Sequence, residues 1–235
     1  MKIIGIIFLA IGVILFFIER GQKQKLFSIK SARTITAAEL QETAGAVAAE
    51  IGGGSWRDYV KLWGRVTIEQ PLYSDQKKAP CVHFVSKVTR EYETKDDEGK
   101  VQQKSEQVSQ NRQSIAFWLH DRTGKIKVNP DGAVIETIEI LNEFRPQRSG
   151  ETRGYRHTES VLPLDREVLV VGAVSDLTGE VIIGKPVKSD HHYLISLKDE
   201  EMLASATARS AKNIFYSMIG CFAIGIILLI GGLLS

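Results

Sequence analysis

The chain has 235 residues, of which 43% are hydrophobic and 25% charged, with a formal net charge of +2. So near-neutral a balance excludes a general electrostatic footprint for nucleic acid, and no nucleic-acid partner is expected. Of the two cysteines, Cys81 lies in a mixed segment and Cys221 in an apolar run, so no intramolecular disulfide is expected and the redox compartment stays open.

The apolar content is concentrated at the two ends. The run from Ile3 to Ile18 has no charge, and neither has the run from Ile214 to Leu234. As helices they would span roughly 24 and 32 Å at about 1.5 Å per residue. Met1 and Lys2 would also suit a signal peptide, but "ERGQKQK" lacks the small-x-small cleavage pattern, so the first run is predicted to be an uncleaved transmembrane helix. The second has no polar face and reads as another span. Residues 19–34 form a basic juxtamembrane linker suited to headgroups.

Residues 35–205 then have ordinary globular composition, enough for one core. Thr36 precedes Glu39 at capping-box spacing, and Leu40, Val47 and Ile51 share one helical face, so an amphipathic helix is expected there until Gly52, Gly53 and Gly54 stop it. From Trp56 the period becomes alternating. Val60, Leu62, Val66 and Ile68 form one strand pattern, and Val82, Phe84 and Val88 another, separated by the turn "YSDQKKAP"; the two are read as antiparallel neighbours.

Residues 93–112 are too polar to build core and read as a mobile hairpin extension or solvated loop. In "FWLHDRTGKIKVNPDGA" Phe117 and Leu119, then Ile126 and Val128, alternate around a turn that Asp121 opens; its carboxylate is suited to accepting backbone N–H groups two residues on. A second polar insert, 142–159, reads as a solvated loop. Later come "EVLVVGAVSD", the turn "DLTG", "EVIIGK" and the strand "HHYLISL", then a juxtamembrane helix over 206–213 running into the second span at 214–234. The fold class is therefore a membrane-anchored, mainly β protein of seven or eight strands. It is a small antiparallel barrel or sandwich, OB-like within that group, with an N-terminal amphipathic helix and a transmembrane helix on each side.

Chemistry-bearing residues are few. Cys81 and His83, two apart on a strand, are the candidates for a thiol nucleophile and its base, although such a pair also arises by chance. His191 and His192 are adjacent, so in a strand they would point to opposite faces and not chelate together. His120 beside Asp121 resembles a catalytic pair, but strand alternation commits the aspartate to its turn. Arg145, Arg148, Arg153 and Arg156 are the candidate patch for a lipid headgroup or acidic partner. No metal or cofactor motif is present. Gly5 and Gly12, with Gly220, Gly225, Gly231 and Gly232, permit close helix contacts, between the spans or between copies.

"GRVTIEQPLYSDQKKAPCVHFVSKVTREYE", "IAFWLHDRTGKIKVNPDGA", "ESVLPLDREVLVVGAVSD" and "YLISLKDEEML" follow one another in the order of the GIDE domain, also called the beside-a-membrane (BAM) domain. The chain resembles that family over roughly residues 35–205, between two spans. In the mitochondrial and chloroplast-envelope E3 ubiquitin ligases of the family, a RING finger carries ligase activity and the domain is implied to recognise partners. A RING needs eight cysteine and histidine ligands for two zinc ions, so no ligase role carries over onto these residues, and the layout resembles the RING-less prokaryotic-type members.

Arg20, Lys23, Lys25, Arg209 and Lys212 flank the apolar runs on the domain side against Lys2 on the other. The positive-inside rule thus predicts a cytoplasmic domain, whereas mitochondrial relatives imply the space between membranes. The leading expectation is a non-catalytic binding module for a membrane, lipid or protein partner. The alternatives are a ubiquitin-transfer function by family and a hydrolase or transferase at Cys81 and His83.

Overall fold

The computed structural model describes residues 2–52, 56–176, 180–188 and 190–234. It divides into a helical unit (Met1–Arg33, Pro186–His192 and Lys198–Ser235) and a β-rich unit (Thr34–Lys185 and Tyr193–Leu197). Gly53, Gly54 and the last three residues of the "DLTG" turn lie outside the described residues.

In the helical unit α1 (Lys2–Ser31) packs antiparallel to the long C-terminal helix, Glu200–Leu234. Both are long and apolar enough to cross a membrane, and only 17% and 6% of their apolar windows are buried, unlike the core helix of a soluble domain. The basic stretch after the first apolar run is helical through Ser31, because nothing in it breaks the helix. Glycine allows the close approach: a Cβ on Gly5 would meet Leu229 Cγ at 2.9 Å, and one on Gly225 would meet Leu9 Cδ2 at 2.9 Å. Further along, Lys23 Nζ sits 5.8 Å from the Phe215 ring centre and 2.6 Å from Glu19 Oε1.

The β-rich unit opens with β1 (Arg33–Thr34) at the boundary, then α2 (Ala37–Ile51). The expected capping box is present: Thr36 Oγ1 accepts from Glu39 N at 3.3 Å, and Glu39 Oε2 accepts from Thr36 N at 2.8 Å. The helix buries Ala37, Leu40 and Ala44, the i, i+3, i+7 face, and Leu40 joins the main core.

Twelve further strands follow. Five close a barrel: β2 (Arg57–Thr67), β6 (Phe117–His120), β7 (Lys125–Val128), β11 (Glu167–Ser175) and β12 (Ile182–Gly184) pair as β2-β6-β7-β12-β11 and back to β2. This is the OB-like Greek-key arrangement, first-second-third-fifth-fourth in chain order. Closure differs from the antiparallel expectation, since β7 and β12 run parallel. Val60, Leu62, Val66, Phe117, Leu119 and Ile126 fill the interior. Gly64 of β2 is needed there, because a Cβ would lie 2.7 Å from the His120 carbonyl oxygen. Two short strands, β8 (Val134–Ile135) and β13 (Leu194–Ser196), extend the sheet. His191 and His192 precede β13 rather than belonging to a strand.

The other sheet corrects the sequence expectation most. β3 (Leu72–Tyr73), β4 (Pro80–Lys95), β5 (Val101–Ser114), β9 (Ile138–Ser149) and β10 (Thr152–Pro163) form a paddle of long hairpins. The polar segments 93–112 and 142–159 are thus largely strand. They carry little apolar alternation because the outer strands β5 and β9 lie mostly open to solvent, β5 along almost its whole length. Nor are β2 and β4 neighbours: β2 pairs with β6 and β11, β4 with β3, β5 and β10. Alternation shows which face a strand buries and leaves its hydrogen-bonding partner undetermined. The strand total, thirteen among the described residues, exceeds the expected seven or eight because the bridging strands are two or three residues long.

Candidate functional site

Cys81 and His83 diverge at the start of β4. Cys81 is fully buried with Phe84 and Val161, where β10 has a register irregularity between Leu162 and Pro163. Burial, and next the charge of Glu159, pushes its thiol up to about 11, so it is protonated at neutral pH. The His83 ring faces the other side and shares a 2.7 Å hydrogen bond with Ser114 Oγ. Its pKa is lowered by burial and by the nearby charge of Arg112, which keeps the imidazole neutral. Cys81 should therefore react slowly with a maleimide at pH 7.5 in the folded chain and readily once unfolded. Fast labelling of the native chain would restore the nucleophile reading.

The four arginines are distributed along the β9–β10 hairpin and largely neutralised. Arg145 meets Glu143 at 3.0 Å, Arg153 meets Glu93 at 3.4 Å and Arg156 meets Glu91 at 2.6 Å. Arg145 opposes Tyr155, whose neighbour is Arg156, so these two arginines project to opposite faces. Arg148 lies near the hairpin tip, beside Arg153 in a shallow depression.

A different constellation is more site-like. A cleft of about 460 Å³ has His83, Val85, Lys87, Thr158 and Ser160 on the paddle face, with Arg112 and the segment from Ala133 to Glu139 beside them. Its size falls within the range of small-ligand sites. Pairing explains the grouping. Ser160 opposes Val85, Thr158 opposes Lys87, Val85 opposes Arg112 and His83 opposes Ser114, and directly opposed residues share a face. Among the described residues Lys87 and Arg112 have no carboxylate within ion-pair distance, unlike Arg90, Arg145, Arg153 and Arg156 of the same paddle. Two uncompensated cations, two hydroxyls and a neutral imidazole offer donors to an anionic group. None belongs to a local motif; only the register of two hairpins assembles them, and His83 alone was singled out by sequence.

The opposite paddle face holds a buried carboxylate. Glu159, fully buried, accepts from Ser74 Oγ at 3.0 Å, Gln76 N at 2.8 Å and Lys77 N at 2.9 Å. It fixes the loop 74–79 against the sheet, between the two cleft residues Thr158 and Ser160.

The GIDE family profile, described as E3 ubiquitin ligase, matches residues 85–231, from the middle of β4 through the second apolar helix. No curated protein and no solved structure gives a significant match. With a profile covering more than half its length, the chain belongs to the GIDE family.

Proposed function

We propose that this chain is a membrane-anchored, non-catalytic binding module that engages its partner through the His83–Lys87–Arg112 cleft. The observation that carries this reading is an open cleft with two uncompensated cations, beside a cysteine that is buried and protonated. A photocrosslinking residue at Thr137, on the cleft wall, should yield an adduct in intact membranes that Arg112→Glu abolishes. Identical adduct patterns in both chains would sink the reading.

The family description favours a second reading, a part in ubiquitin-type transfer. These residues include two cysteines, too few for the ligands of a RING, so such a role would need zinc ligands from outside residues 1–235. Co-purification with a ubiquitin-conjugating enzyme would support it.

The domain faces the cytoplasm in this proposal, since Arg20, Lys23, Lys25, Arg209 and Lys212 flank the spans on its side. Ser149→Cys, at an exposed hairpin end, should react with a membrane-impermeant maleimide only after permeabilisation. Labelling in intact cells would reverse the orientation.

A further inference from the structure

The cleft also has an acidic side, which a simple anion site would not need. Glu139 on β9 opposes Ser160 on β10, Ser160 opposes Val85 on β4, and Val85 opposes Arg112 on β5. These four residues form one transverse row on one face of the paddle. With strands about 4.8 Å apart, the Cα atoms at its ends are about 14 Å apart, close enough for two long side chains to reach one small ligand between them. Lys87 is one step along on the β4 side and adds a second positive charge near Arg112. Asn142 Nδ2 donates to both Glu139 oxygens, at 3.2 and 3.3 Å, which holds the carboxylate without neutralising it. The cleft is therefore polarised across the strands: cationic over β4 and β5, hydroxyl-bearing in the middle at Ser160 and Thr158, and anionic over β9.

We propose that this cleft binds a phosphate ester carrying a primary ammonium group, of the phosphoethanolamine class. The inference rests on the binding-module reading and specifies its ligand. The phosphate takes its bonds from Arg112, Lys87 and the hydroxyls of Ser160 and Thr158; three or more donors around a tetrahedral anion favour phosphate over a planar carboxylate. The ammonium group lies toward Glu139. His83, neutral and held by Ser114, presents its remaining ring nitrogen without adding charge. A bare phosphate would leave Glu139 as a repulsive neighbour, so the zwitterion is preferred on electrostatic grounds. The ligand is either the headgroup of a phospholipid or the free ester.

Calorimetric titration of the full chain in nanodiscs of phosphatidylglycerol tests this with O-phosphoethanolamine, inorganic phosphate and ethanolamine. O-phosphoethanolamine should bind at least tenfold more tightly than either fragment. Arg112→Ala should weaken O-phosphoethanolamine and phosphate alike by at least tenfold. Glu139→Gln should remove the preference for O-phosphoethanolamine, weakening the ester and, with the repulsion relieved, strengthening bare phosphate. Both substitutions are at exposed positions, and unchanged thermal unfolding shows that the chains remain folded. Replacing part of the lipid by phosphatidylethanolamine separates the sources: loss of soluble-ester binding marks a lipid headgroup, and unchanged binding marks the free ester. Phosphate binding with no effect of Glu139→Gln overturns the inference and leaves an anion-binding module standing. No binding of any probe, together with a Thr137 crosslink that still requires Arg112, also overturns the inference and leaves the broader reading intact. Absence of both overturns the two together.

Discussion

Glu159→Ala is expected to destabilise the β-rich unit by about 3–4 kcal/mol, the largest effect of any single polar side chain in it. The carboxylate is fully buried and receives two backbone N–H groups and one hydroxyl from the loop 74–79. Alanine would leave those donors without an acceptor and open a cavity beside Cys81 and Phe84. Glutamine keeps the volume and one carbonyl oxygen, but its NH₂ group would meet donors, so Glu159→Gln should cost roughly half as much. Denaturant unfolding of the full chain in detergent, followed by near-ultraviolet circular dichroism, measures both. The ordering wild type, glutamine, alanine is the signature of a charge-accepting role. If alanine were as stable as glutamine, the loop would be held by its other contacts, among them the Ala79 N to Ser74 Oγ bond of 3.1 Å. Because Thr158 and Ser160 flank Glu159 on β10 and face the cleft, the alanine variant should also weaken ligand binding at Arg112.

The contrast between Glu159 and the residues around it shows what the sequence made legible. Periodicity exposes an element when one face is dry, as with Phe117, Leu119, Ile126 and Val128 of the barrel hairpin, and with the capping box and apolar spans. The OB-like barrel could thus be read from alternation and turn residues. In the paddle, most of β5 and β9 is wet on both faces, so the 2.0 period carries no hydrophobic signal there. The same property hid the cleft. Lys87, Arg112, Glu139 and Ser160 come from four strands as far as 73 positions apart (160 − 87), and only the pairing register brings them together. Arg145 and Arg156, by contrast, looked like a patch because they are near in sequence, although the pleat separates them.

Asp121 shows how a correctly placed residue can do more than its local pattern implies. Its Oδ1 accepts from Thr123 N at 2.7 Å, Thr123 Oγ1 at 2.7 Å and Gly124 N at 2.9 Å, the expected turn bonds. Its Oδ2 accepts from Ala37 N at 2.8 Å, the first residue of α2 and 84 positions away. Thr123 Oγ1 in turn accepts from Ala38 N at 3.0 Å, so one β-turn caps the helix N-terminus from outside. Asp121→Ala should therefore cost about 2–3 kcal/mol and loosen α2 selectively, read as faster amide exchange in its first turn than at the centre of the barrel. Burial alone would raise the carboxyl pKa; the bonds from Ala37, Thr123 and Gly124 outweigh it, and the net shift is downward. A carboxyl that titrates below its unfolded value of about 3.9 contributes its full stabilisation above that pH. The contribution is lost as the pH falls through the lower folded value. The stability gap between wild type and Asp121→Asn should thus be constant from pH 7 to 5 and narrow in strong acid. A gap that instead closed near neutral pH would mean that the Asp121 carboxylate charge is not what holds the turn.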